Sequence, residues 1–166
     1  RFVNVSGDSM NGLLTLSGAP TANLHAATKK YVDDIAQGLT VLPSARVATT
    51  TDLGATFSSA NNTLTSNTNE ALTVDSTTLD VGDNILVKDQ TNAYENGSYV
   101  VTTAGDSGTP WVIERCSFCD ETSEIKGSFE FVYNGSSNES TGWVASVPSD
   151  FELNNTTSSA DSDFST

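Results

Sequence analysis

The chain has 166 residues, of which Ser, Thr and Asn supply 59, while Asp, Glu, Lys and Arg together make up 17%, below the quarter or so usual in a globular domain. Its formal charge is −14, with four basic and three acidic side chains in residues 1–46 against three and eighteen in residues 47–166. Neutralising phosphates needs Lys and Arg, so this balance argues against nucleic acid or an anionic membrane as partner, and no apolar run is long enough to cross a bilayer.

In chain order, Phe2-Val3-Asn4-Val5 alternates apolar and polar residues, Ser6-Gly7-Asp8-Ser9 makes a turn, and Leu13-Leu14-Thr15-Leu16 follows as a short strand. After the break at Ser17-Gly18-Ala19-Pro20, Thr21 or Asn23 can cap a helix over about 23–37, stopped by Gly38. Leu24, Ala27, Thr28, Tyr31 and Ile35 would form a narrow apolar seam on one face. Lys29 with Asp33 and Lys30 with Asp34 form i,i+4 pairs on the other side, each contributing about 0.2–0.5 kcal/mol. A helix with so slim a seam is marginal alone and needs a partner, either the domain that follows or the seams of sister chains.

From residue 44 onward the pattern is all β, with candidate strands near 45–49, 63–66, 71–74, 84–88, 98–103, 111–115, 128–133, 142–147 and 162–165. Spacing of this kind favours a β-sandwich or barrel-like module. The strongest local signal is a hairpin joining Ile85-Leu86-Val87 to Tyr99-Val100-Val101, with Asn96-Gly97 closing the turn because both residues accept positive φ. Phe129, Phe131 and Tyr133 share one strand face, Glu130 and Val132 the other. Trp111, Trp143 and the three aromatics of the first face are the expected core.

Several of these residues also fit a known pattern. Val5 to Leu16, with Gly7-Asp8-Ser9-Met10-Asn11-Gly12 at its centre, then Ala19-Pro20-Thr21 and Leu24-His25-Ala26-Ala27-Thr28-Lys29-Lys30-Tyr31-Val32-Asp33, resembles the repeat of bacteriophage tail fibre proteins. Ser9 and Asn11 stand where that repeat more often has Thr, and Leu14 stands next to a position often held by Pro. Residues 44–166 also resemble a phage fibre module at Arg46 to Thr50, Gly82 to Thr91, Glu95 to Val101, Gly127 to Val132 and Thr141-Gly142-Trp143-Val144. They depart from it around Cys116. The resemblance implies a homotrimeric structural component of a virion fibre, with a strand-turn-helix connector over 1–43 and a β-rich module over 44–166. Its partners would be sister chains and neighbouring fibre or virion proteins, in a virion assembled in a bacterial host. The opening at Arg1, with no initiator Met and no secretory leader pattern, fits a processed chain or a fragment of a longer one.

An alternative is a receptor-binding module that recognises a host-surface glycan or protein through loop residues, with Asn92, Tyr94 and Asn134 as candidate contacts. Tyr94, at the hairpin tip, could equally pack locally. Cys116 and Cys119 lack the further ligands of a zinc site and the helix N-terminus of a redox motif, so buried inert thiols or a disulfide are expected. His25 has no nucleophile suggested beside it, which favours a structural hydrogen bond over catalysis. Asp80, Asp83 and Asp89 lack calcium-loop spacing, and nothing selects an acid and base pair among the many carboxylates. Neither enzyme activity nor a cofactor or metal site is expected.

Overall fold

In a computed structural model of the chain, residues 25–28, 40–147, 153 and 163–165 are described. The chain divides into two units, Arg1–Gly38 and Leu39–Thr166, and nearly all the described residues belong to the second. Of the expected helix over 23–37, only residues 25–28 are described, and they are a bend followed by irregular chain; the rest of that stretch lies outside the described residues.

The second unit is mainly β. Its centre is the hairpin of β7 (Asn84–Val87) and β8 (Gly97–Thr103), antiparallel with Ile85 opposite Tyr99 and Leu86 opposite Ser98. β-branched and aromatic residues on these strands bury on both sides, which is why the run Ile85-Leu86-Val87 is continuous rather than alternating. The strands β2 (Val47–Ala48), β3 (Thr56–Ser58), β4 (Thr63–Thr65) and β9 (Val112–Arg115) complete a six-stranded sheet ordered β2-β7-β8-β9-β4-β3. Between β8 and β9 the register slips by one at Thr102, a bulge whose hydroxyl donates to the Val112 carbonyl at 3.1 Å.

A ribbon of β5 (Thr73–Val74) and β6 (Thr77–Thr78) brings Leu72, Val74 and Leu79 into a cluster with Val47, Leu64, Ile85, Val87, Tyr99, Val101, Trp111 and Ile113. A second cluster forms around Ala48 and Leu86, whose side chains point away from the first. It contains Leu42, Ala45, Cys119, Ile125, Val132 and Ala145, and its lining strands are those of a four-stranded sheet. That sheet is ordered β1-β10-β11-β12, from β1 (Thr40–Val41), β10 (Ser128–Val132), β11 (Thr141–Ser146) and β12 (Asp163–Ser165). Each fully buried aliphatic side chain in these clusters contributes about 1.5–3 kcal/mol relative to exposure. Among the described residues no sheet closes on itself, so the barrel-like expectation is not met.

All nine expected strand regions contain a strand, while β1, β3 and β6 were not foreseen. β1 pairs in parallel with β10, and Leu42 is buried, so residues 40–43 belong to the β unit rather than to a connector. A single helical turn, α1 (Thr122–Ile125), closed by a capping box between Glu121 and Glu124, turns Ile125 into the second cluster.

Two details differ from expectation. Asn96, expected to take positive φ in closing the turn, has φ −68° and ends a 3₁₀ turn over Ala93–Glu95; β7 and β8 are joined by residues 88–96, a loop longer than two residues, as expected. The core face of β10 is also inverted. Ser128, Glu130 and Val132 are buried, whereas Phe131 is 39% and Tyr133 51% exposed. Trp111 is in the core as expected, and Trp143 is packed half-buried against the second cluster.

Candidate functional site

Three places in the β unit combine chemistry with a defined geometry. The first is the loop between β7 and β8. The Arg115 guanidinium rises from β9 beneath it and donates from Nη1 to the Asn96 carbonyl at 2.8 Å and from Nη2 to the Tyr94 carbonyl at 3.0 Å. It also lies 4.8 Å from the centre of the Tyr99 ring, which favours the cation electrostatically. The Tyr99 hydroxyl donates to the Glu95 carbonyl at 2.6 Å, and the Asn96 side chain accepts from the Gln90 backbone N–H at 2.9 Å. Burial raises the Tyr99 hydroxyl pKa, against the pull of Arg115.

On top of this loop, Asn92 donates to the Glu95 carboxylate at 2.8 Å, and the Tyr94 ring meets Phe57 edge-on with 5.9 Å between centroids. Burial raises the pKa of Glu95, and the bond from Asn92 opposes it. Tyr94 is therefore engaged in local packing. Asn134 lies elsewhere: its N–H donates to the Arg46 carbonyl at 2.9 Å, and the Arg46 N–H donates in turn to the Asn84 carbonyl at the start of β7. Asn92 and Tyr94 follow the other end of that strand, so the fold does not bring the three candidate contacts together.

The second place is the outer face of the four-stranded sheet. Register puts Val41 opposite Phe129, Phe129 opposite Val144, and Phe131 opposite Gly142. These residues and Tyr133 share one face. The Phe129 ring lies over Gly142, where an ideal Cβ would stand 2.6 Å from the ring. Val41, at 71% exposed, extends the face to the sheet edge. The aromatic alternation in Phe129-Glu130-Phe131-Val132-Tyr133 was visible in sequence. Which side faces inward was not, because hydrophobicity alone favours burying the aromatics.

The third place is the buried cluster in which Glu130 on β10 meets Ser98 on β8, with Cys116 and Asn84 beyond it. Cys116 and Cys119 are free thiols, both buried, and burial pushes each up to about 11. Among the described residues no three His, Cys, Asp or Glu side chains are grouped to hold a metal ion. Asp83 pairs with Arg46, and Asp89 accepts from Thr49 at 2.7 Å and lies 3.0 Å from Lys88.

Compared with family models, with curated proteins and with solved structures, the chain matches none.

Of the seam residues expected to join chains, Ala27 is exposed and Thr28 half-buried outside any helix, while Leu24, Tyr31 and Ile35 lie outside the described residues. His25 is exposed. The exposed aromatic face on β10 was not expected from the sequence, and its signal was the Phe-x-Phe-x-Tyr spacing.

Proposed function

We propose that the chain is a structural module of a bacteriophage virion fibre, acting as a homotrimer in which the two larger sheets pack as a sandwich. The observation that carries this reading is the run of apolar side chains Val41, Phe129, Phe131 and Tyr133 on one face of the four-stranded sheet, in a chain of formal charge −14. Like-charged copies repel over most of their surface, and an apolar face is where they can meet without bringing carboxylates together. The tail fibre resemblance in residues 5–33 supplies the trimeric symmetry and the virion setting, with neighbouring fibre proteins as further partners. Its mechanism is mechanical: packed sheets of identical chains hold a rigid extension.

The test is the native mass by light scattering. A value near three times 17.4 kDa is expected for the wild type, and a single-chain mass for the double variant Phe131→Asp, Tyr133→Asp with its circular dichroism unchanged. A monomeric wild type overturns the reading.

A second reading, binding of a host-surface glycan or protein, is favoured by one observation: Arg115 fixes the loop that presents Tyr94 beside Phe57. It predicts glycan-array binding that is lost in Tyr94→Ala.

A further inference from the structure

Burying a carboxyl group is costly unless it is neutral or paired with a cation. Glu130 projects from β10 into the space between the two larger sheets and is 1% exposed. Its Oε1 lies 3.0 Å from the Ser98 hydroxyl on β8, and among the described residues its Oε2 has no hydrogen-bond partner. Ser128 Oγ, two residues earlier on the same inward face, also has none. The Ser98 hydroxyl is 3.7 Å from Cys116 Sγ, which is 3.8 Å from Asn84 Oδ1 on β7.

The charged and titratable groups that surround this carboxyl do not compensate it. Arg115, on β9, turns both Nη atoms toward the carbonyls of Tyr94 and Asn96. Glu124, on α1, accepts from the N–H groups of Asp120 and Glu121. Cys116 and Cys119, in the segment between β9 and α1, are neutral thiols well above neutral pH.

We propose that Glu130 is a proton-operated lock between the six-stranded and four-stranded sheets, closed when the carboxyl is protonated and loosened when it ionises. In the neutral form the carboxyl O–H donates to Ser98 Oγ, Ser98 donates to Cys116 Sγ, and the Cys116 thiol donates to Asn84 Oδ1. One unbroken row of donors then crosses from β10 to β7. Ionisation reverses the first link and leaves a buried carboxylate with a single hydroxyl donor, on the same inward face as Val132 and opposite Trp143 in the register.

Burial, opposed by the Ser98 bond, pushes the carboxyl from 4.5 up to about 7. A group that binds its proton more tightly when folded adds stability that is complete below its unfolded value and is lost as pH rises to the folded one. The window for Glu130 is therefore about pH 4.5 to 7, with no further loss above it.

The experiment is chemical denaturation from pH 4.5 to 9, comparing wild type with Glu130→Gln at a concentration where the chain's association state is constant, so that the outcome is independent of the fibre reading. The ratio of folded to unfolded wild type, relative to the variant, is expected to fall on the order of a hundredfold between pH 4.5 and 7 and then level. A parallel pH dependence in the two proteins overturns the proposal. Should the variant not fold, the side-chain carboxyl resonance of Glu130 in the wild type decides the matter. A titration midpoint near 7 supports the lock, and a midpoint at the ordinary glutamate value overturns it.

Discussion

The Arg115 guanidinium lies so close to the backbone of Gly97 that an ideal Cβ at residue 97 would stand 2.1 Å from Nη1. Gly97 also has φ +151°, a backbone conformation that side chains rarely adopt. Gly97→Ala is therefore expected to push Arg115 off the carbonyls of Tyr94 and Asn96, leaving buried acceptors unpaired at a cost of about 2–3 kcal/mol. A lowered denaturant midpoint, together with faster proteolysis within residues 88–96, is the expected result. Arg115→Lys should reproduce the proteolysis, because one ammonium cannot serve two carbonyls in fork geometry.

A different lock ties the ribbon to the loop after β10. The Asp75 carboxylate accepts from the Ser136 hydroxyl at 2.9 Å and from the N–H groups of Ser137 and Asn138, each at 2.9 Å. Asn138 reaches on to the carbonyls of Ala48 and Thr49, 3.3 Å away in each case. Burial pulls the Asp75 pKa up, but the bonds from Asn138, Ser137 and Ser136 outweigh it, and the net shift is downward. A depressed carboxylate adds stability above its unfolded value and loses it as pH falls through the folded one. Asp75→Ala should cost about 2 kcal/mol at pH 7, and the gap from wild type in thermal unfolding should narrow in acid below the usual aspartate range.

Adjacent residues on β10 should respond in opposite ways. Val132 is wholly buried, and Val132→Ala removes two methylene equivalents from the second cluster, at a cost of about 1–3 kcal/mol. Phe131→Ser, on the exposed face, should change the stability of the isolated chain by no more than about 0.5 kcal/mol. Denaturant midpoints of both variants, measured where the chain is monomeric, check the inverted facing of this strand directly.

This inversion shows where sequence reading stops. The hairpin at Ile85 and Tyr99 was legible because continuous β-branched and aromatic runs specify pairing locally. Phe129-Glu130-Phe131-Val132-Tyr133 was legible as a strand but not in its orientation. Alternation fixes only which residues share a face, and Ser98, 32 residues earlier, is what accommodates the glutamate. The two-residue strands β1 and β2 draw their pairing from tertiary contacts, while β5 and β6 pair locally across a two-residue turn at Asp75-Ser76. Of these four, β2, around Val47, and β5, in Leu72-Thr73-Val74, were foreseen; Thr40-Val41 and Thr77-Thr78 carried no period long enough to read. Among the candidate contacts, Tyr94 was placed correctly at the hairpin loop, while nothing in sequence could reveal that Asn134 lies by the opposite end of β7.

Cys116 and Cys119 should resist alkylation in the folded chain. Both are buried and both are pushed up to about 11, so at pH 8 the reactive thiolate is a minor species behind a closed surface. Mass spectrometry after a short iodoacetamide exposure should find neither cysteine modified in native buffer and both modified in denaturant. Rapid labelling of one thiol in native buffer would show that the segment after β9 opens.

β1 runs parallel to β10, β10 antiparallel to β11, and β11 antiparallel to β12, so the first and last strands of the unit point the same way. The chain thus enters the four-stranded sheet at one end and leaves it at the other. A pull applied between residues 40 and 165 would slide β1 along β10 and β12 along β11, loading their backbone hydrogen bonds together in shear instead of peeling them open one by one, and tension along the chain would meet its greatest resistance in that direction.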